Sequence, residues 1–208
     1  MSAHAITLYY AAFTRASRPM WTLEELGINY ALKKIDLKLK EQKNPEYLKI
    51  HPLGLVPAMV VDGQTMIESG AMCMWLADQY PEKKLCPEIT SPERAHYYQW
   101  YFLSCNHLEP ELVKIFLHTK KLPENERNPS EIEKAKVLFG QSAVVFENAL
   151  KDKSYLIQNI FSAADIFVGS QMIWAESMGL LSEFKILTQY CSHLKGRKAY
   201  QSAQQKAK

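Results

Sequence analysis

"GLVPAMVVDGQTMIESGA", Gly54 to Ala71, decides how the first half of the chain folds. Ala58 to Val61 and Gln64 to Ile67 are short runs rich in β-formers, and Asp62-Gly63 separates them. Asp-Gly between two such runs predicts a hairpin, because a type I′ turn needs positive φ at both central residues. Glu68 to Tyr80 then carries Met72, Trp75 and Leu76 at helical spacing, and Pro81 follows the last turn. Glu68-Ser69 therefore stands where a strand hands over to a helix N-terminus. The unpaired N–H groups and partial positive charge of such an end suit a carboxylate or phosphate. At the other end Val56-Pro57 opens the strand, a place where proline is tolerated. X-Pro in a tight turn is a candidate cis peptide. A cis bond here would turn the N–H and C=O of Val56 outward, where an extended peptide can pair with them. The segment predicts one place for a peptide backbone and another for a carboxylate.

Upstream, "ITLYY" (Ile6 to Tyr10) reads as a buried strand. "SRPMWTLEELG" reads as a helix, with Ser17 as cap, Pro19 in the first turn and Gly27 as the stop. Tyr30 to Ile35 is a second strand, Asn44-Pro45 starts a short helix, and His51-Pro52 ends it. The order β-α-β-α-β-β-α predicts a mixed sheet with helices on both faces. Beyond Pro81 strand signals almost vanish. The expected organisation is a first domain over 1–82, a linker over 83–90 containing Pro87, and an all-helical domain over 91–208. Ser130 to Glu133 is expected to cap a long helix ending near Leu150. "FSAADIFVGS" repeats the device, with Ser162 as cap and Asp165 at the third helical position, ahead of a helix apolar all round.

The whole chain narrows the function. It has 208 residues, 47% of them hydrophobic and 23% charged, with a formal charge of +3. These are the values of an ordinary globular protein, and the charge argues against nucleic acid. The basic C-terminal residues Lys195, Arg197, Lys198, Lys206 and Lys208 read as a solvated end. No apolar run is long enough for a membrane span, and no signal peptide is visible. Cys73, Cys86, Cys105 and Cys191 lie far apart, which suits reduced and mostly buried thiols in a cytoplasmic protein. The histidines show no metal-ligand spacing, so no metal is expected.

Four motifs in this order resemble those of one family: "LYY" with a polar loop and "LEELGINY"; "NPEYLKIHPLGLVPAMVVDG"; "IESGA"; and "FSAADI". The chain resembles the cytosolic glutathione transferases from Ile6 to about Ala203, near the bacterial beta-like and theta-like members. The resemblance implies a thioredoxin-like α/β N-terminal domain, an all-α C-terminal domain and a homodimer. It implies glutathione as co-substrate, with no bound cofactor. Glutathione offers two carboxylates, an ammonium, a thiol and a peptide backbone, which matches the two places found in the opening stretch. By resemblance, Val56, with Pro57 cis, pairs with the cysteinyl unit, and Glu68 and Ser69 hold the γ-glutamyl end. Gln42 and Lys43 are the candidates for the glycine carboxylate. Leu55 stands where relatives often carry Lys or Gln, which leaves a backbone contact there.

The thiolate is the nucleophile, and a free thiol with a pKa of about 8.5 is only about 3% ionised at pH 7. Lowering that pKa by about 2 units takes about 2.7 kcal/mol, within reach of one or two hydrogen bonds and a helix N-terminus. The donors belong in the loop "YAAFTRASR". Thr14 ranks first, lying where many bacterial and theta-like members place Ser or Cys. Tyr10 ranks second and Arg15 is a helper. Taken alone, Tyr10 also reads as a core tyrosine, Thr14 as a turn residue and Glu68-Ser69 as a helix cap. No Ser-Ser-Cys run is present, which argues against a maleylacetoacetate isomerase. Arg15 in the first loop and Glu109 on the first long helix argue against beta-type mixed-disulfide chemistry. By resemblance the hydrophobic electrophile lies between the domains, with Tyr101, Asn106 and Leu108 as lining candidates. The expected activity is transfer of the glutathione thiolate to a hydrophobic electrophile. The alternatives are a non-catalytic regulator like the stringent starvation protein, and a glutathione-dependent peroxidase or disulfide reductase.

Overall fold

The computed structural model describes residues 4–208. The first elements are β1 (Ile6–Tyr10), α1 (Ser17–Leu26), β2 (Ala31–Lys34), α2 (Pro45–Leu48), β3 (Ala58–Val61), β4 (Gln64–Met66) and α3 (Ser69–Gln79). They follow the order expected from the sequence. The sheet runs β2-β1-β3-β4, with β1 parallel to β2 and antiparallel to β3. Leu8 faces Leu32 on one side and Met59 on the other. Asp62 and Gly63 both have positive φ, 49° and 84°, as the hairpin turn requires. Ile6, Leu8 and Tyr10 of β1 are buried on one face. On the other face Tyr9 meets Tyr47 of α2 edge-on, with ring centroids 5.7 Å apart.

The chain forms two compact units. One contains residues up to Cys86 together with Lys195–Lys208; the other is Pro87–Leu194. The C-terminal segment thus departs from the expected division. Of its basic residues Lys198, Lys206 and Lys208 are exposed, as expected, but Arg197 and Lys206 are ion-paired. They lie on or beside α9 (Lys198–Lys206), which packs on α1. Tyr200 meets Trp21 edge-on at 4.9 Å. Arg197 forms a two-bond pair with Glu25, at 2.6 and 2.8 Å. Glu24 accepts from Tyr30, Ser202 and Lys206. Sequence patterning could not show this, because the partners are more than 170 residues apart.

The helical unit is built from α4 (Glu93–Leu103), α5 (Glu109–Phe116), α6 (Pro129–Ala149), α7 (Ala163–Ser177) and α8 (Lys185–Lys195). A π-helical turn, Ser104–Leu108, joins α4 to α5. α7 is buried along most of its length and carries the expected capping box of Ser162 and Asp165. The cap of α6 differs from the expectation: Asn128 Oδ1, not Ser130, takes the first free N–H, at 3.0 Å, and Pro129 follows it. α1 likewise begins at Ser17, and Ser17 is not its cap. The N–H of Ser17 already bonds Thr14 C=O at 3.2 Å, so the chain enters the helix from a preceding turn. Cys105, expected to be buried, is exposed on the π turn, while Cys73 and Cys191 are buried.

Candidate functional site

The opening stretch folds into a loop braced from three directions. The Val56-Pro57 bond is cis. Leu55 presents an exposed side chain, and its carbonyl accepts from the Tyr47 hydroxyl at 2.6 Å. Burial, with Tyr9 adding to it, pushes the Tyr47 phenol up to about 12, so it stays a donor. Gly54 has φ +59° and its N–H donates to His51 C=O at 2.7 Å. A Cβ at Gly54 would stand 2.5 Å from the Gln42 carbonyl oxygen and 2.9 Å from Lys43 Nζ. The segment 42–43 is therefore pressed onto Gly54. Gly54→Ala should lower the unfolding free energy by at least about 1–2 kcal/mol for the left-handed backbone alone, before the clash. Urea unfolding of the variant measures this. An unchanged midpoint would show that the loop gives way without cost.

Lys43 Nζ donates to the Leu53 carbonyl at 2.9 Å and is exposed. Gln42 Oε1 is buried without a hydrogen-bond partner among the described residues. The same holds for Nδ1 of His51, a residue that sequence reasoning used only as a helix end. His51 is 4% exposed. Burial holds its pKa below the ordinary histidine value, against the opposing pull of Glu68. The sequence signal that could have found it is a histidine just before Pro52 in an otherwise apolar turn.

At the start of α3, Glu68 is exposed with φ +72°, and Ser69 is the first helical residue and buried. A glutamate in left-handed backbone is uncommon, and such residues concentrate at ligand sites. Behind Ser69 lies Arg18 of α1, 4% exposed, with Nη1 donating to Ser69 Oγ at 3.3 Å. Sequence reasoning passed over Arg18, because an arginine near a helix start reads as surface. The buried Cys73 thiol is pushed up to about 12 by burial, with Thr22 and Arg18 pulling it down, so it is not a nucleophile at neutral pH.

The loop after β1 places the three thiol-activating candidates differently. Tyr10 is 8% exposed and faces inward from the strand end. Thr14 is half-buried; its hydroxyl donates to Ala11 C=O at 2.7 Å and accepts from Ala16 N–H at 3.3 Å. Arg15 is exposed. Phe13, directly before Thr14, is fully exposed at φ +58°. Of the electrophile-site candidates, Tyr101 and Leu108 are core residues of the helical unit. Tyr101 stacks on Phe167 and its hydroxyl donates to Ala163 C=O at 2.8 Å. The π turn points Ser104 and Leu108 inward and Asn106 outward, so Asn106 alone of the three is exposed. No cluster of three metal-ligating side chains occurs among the described residues, and none of the described helices is long and apolar enough to cross a membrane.

Residues 5–78 match the family model of the glutathione S-transferase N-terminal domain. Glutathione S-transferase F10 of Arabidopsis thaliana is 29% identical over 171 residues, covering 77% of this chain and 76% of the relative. Glutathione S-transferase GstA of Escherichia coli O157:H7 is 29% identical over 163 residues, covering 76% and 77%. Among solved structures, the bacterial glutathione S-transferase BphK, a ternary complex, is 28% identical with a TM-score of 0.85 over 97% of this chain and 98% of that one. The glutathione transferase URE2P6 of Phanerochaete chrysosporium, in complex with oxidised glutathione, shares the fold at 24% identity and a TM-score of 0.88, over 97% of this chain and 96% of that one. Residues 5–78 thus match a glutathione S-transferase N-terminal domain, and the mixed four-stranded sheet followed by a helical unit is the fold of the glutathione transferases to which the chain is similar.

Proposed function

We propose that the chain binds glutathione in its N-terminal unit and transfers the thiolate to an apolar electrophile. One observation carries the reading: Glu68 and Ser69 meet at the N-terminus of α3 with the buried Arg18 behind them, in the same unit as the cis Val56-Pro57 loop. That end suits the γ-glutamyl carboxylate, with Glu68 on the ammonium. Val56 pairs with the cysteinyl backbone, Leu55 adds a backbone contact, and Gln42 and Lys43 receive the glycine end. Thr14 then stabilises the thiolate, which attacks an electrophilic carbon. A sulfur–carbon bond forms, and the leaving group departs with the bonding pair or the electrons move onto an acceptor. Tyr10 is the second donor and Arg15 adds positive charge. The electrophile site takes Asn106 as its exposed candidate, and the assembly is a homodimer.

A second reading has one observation in its favour. The Thr14 hydroxyl proton is already given to Ala11 C=O, so glutathione can be held without an activated thiol, in a regulatory role. Calorimetric titration with glutathione, followed across pH by thiolate absorbance, separates the two. The transferase reading expects binding with the thiol pKa lowered by about 1–2 units from about 8.5. Binding with an unshifted pKa supports the regulator. No binding at millimolar glutathione sinks both.

A further inference from the structure

The turn His51–Leu55 runs directly into Val56 and the cis Pro57, so it sets where the peptide-pairing backbone stands. Its hold on the fold is thin. Pro52, Leu53 and Leu55 are exposed, and His51 is the one side chain that the turn buries, since Gly54 has none. Gly54 N–H donates to His51 C=O at 2.7 Å, the Tyr47 hydroxyl to Leu55 C=O at 2.6 Å and Lys43 Nζ to Leu53 C=O at 2.9 Å. The segment that presses on Gly54 leaves Lys40 at φ +58°, a left-handed backbone that is unfavourable for any residue with a Cβ.

A turn is usually anchored by an apolar side chain; here the anchor is a base that can take up a proton. Nδ1 of His51 is buried with no hydrogen-bond partner among the described residues, and so is Oε1 of Gln42, on the segment pressed against Gly54. Water would bond both atoms, so the closed turn forgoes hydrogen bonds that an open one regains. Burial opposes the proton on His51, Glu68 at the start of α3 favours it, and Lys43 opposes it. The net effect keeps the imidazole neutral at pH 7 in the closed turn. In α2, Tyr47 keeps its phenolic proton, and Glu46 and Lys49 pair with each other at 2.7 Å. Opening returns the imidazole to water, where its ordinary pKa of about 6.5 applies. The open turn therefore binds the proton more tightly than the closed one. The closed form is fully favoured above about pH 7.5 and gives way as pH falls through about 6.5.

We propose that the turn His51–Leu55 is a proton-operated latch on the glutathione site: with His51 neutral it holds Val56 and Lys43 in place for the tripeptide, and protonation of His51 releases them. The latch rests on the glutathione reading for its ligand and adds regulation by acid to it.

Two measurements on the full chain test it. The first is amide exchange at Gly54, whose N–H is bonded inside the turn. It is followed by NMR at about pH 7.5 and about pH 5.5 and corrected for the intrinsic pH dependence of exchange. Protection in the wild type should fall on acidification by up to about tenfold, the limit that a pKa of about 6.5 in the open form sets over this range. In His51→Asn, which cannot take up the proton, protection should stay level. The second measurement is calorimetric titration with S-methylglutathione, which carries no thiol to titrate. Its dissociation constant should rise by the same factor in the wild type and stay level in the variant. Should His51→Asn fail to fold, His51→Gln takes its place. Protection that stays level in the wild type, or falls equally in the variant, overturns the latch and leaves the glutathione reading intact. Protection that falls while the dissociation constant stays level overturns the link between the turn and the site. A wild type that does not bind S-methylglutathione at the higher pH overturns the glutathione reading, and the latch's role in it.

Discussion

Asp165→Ala is expected to lower the unfolding free energy by about 3–5 kcal/mol, the range for breaking a buried, hydrogen-bonded charge. The carboxylate is fully buried and accepts four hydrogen bonds: from Leu156 N–H at 2.9 Å, Ser162 N–H at 2.9 Å, Ser162 Oγ at 3.0 Å and Tyr190 hydroxyl at 2.9 Å. Alanine removes the capping box of α7, worth about 0.5–2 kcal/mol. It also strands buried donors, each costing about 1–3 kcal/mol when left unmade. The losses overlap, which keeps the total below their sum. Denaturant unfolding monitored by circular dichroism measures it, and a loss under about 1 kcal/mol would show that water or a shifted loop replaces the carboxylate.

Asp165→Asn adds a pH arm. Burial pushes the native carboxyl up, against the pull of its four donors, to about 6. The unfolded value is about 3.9. The native state thus holds the proton more tightly, so this group's contribution to stability is full below about pH 4 and is lost as pH rises to about 6. The stability gap between wild type and Asp165→Asn should widen on acidification from about pH 7 to about pH 4. A gap that narrows over that range would show the donors outweighing burial.

Thr14→Val is expected to raise the pKa of the bound glutathione thiol by about 1–2 units, back toward about 8.5. That is about 1.4–2.7 kcal/mol of thiolate stabilisation. Conjugation at neutral pH should fall about 8- to 25-fold, following the thiolate fraction, and recover as pH rises through the new thiol pKa. Valine keeps the shape and deletes the hydroxyl. It also removes the bonds to Ala11 and Ala16, so Thr14→Ser serves as the companion. Serine keeps the hydroxyl, which can make the same two bonds and can turn its one proton from Ala11 to the bound thiolate, and should keep the lowered pKa. A loss that does not recover at high pH would mean a displaced loop. A lowered pKa retained in Thr14→Val would move the role to Tyr10, to be checked with Tyr10→Phe.

Some of the site was legible because its signals are local. Asp62-Gly63 demands positive φ at two neighbouring positions, and only a few residue types accept that cheaply. Pro57 restricts its own bond, and Ser162 and Asp165 cap a helix three residues apart. These features need no partner from elsewhere in the chain. The two helix starts that were misread, Ser17 and Ser130, show the limit of the same logic. Ser17 is the first residue of its helix and Ser130 the second, and the deciding group, the Thr14 carbonyl or the Asn128 side chain, lies just upstream.

By itself, the sequence determined the order of elements, the hairpin and its turn, the capping box of α7 and the handover from strand to helix at Glu68-Ser69. Each follows from backbone preference and hydrogen bonding over a few residues. Tertiary structure alone decided the rest. Arg18 reaches Ser69 because α1 and α3 pack together, the two residues being 51 positions apart in the sequence. The burial of His51, with Nδ1 left without a hydrogen-bond partner among the described residues, is likewise a property of the folded chain. The C-terminal basic run became a helix on α1 because Glu24, Glu25 and Trp21 wait there for Lys206, Arg197 and Tyr200. Burial and charge pairing are properties of surfaces brought together, and no short window of sequence carries them.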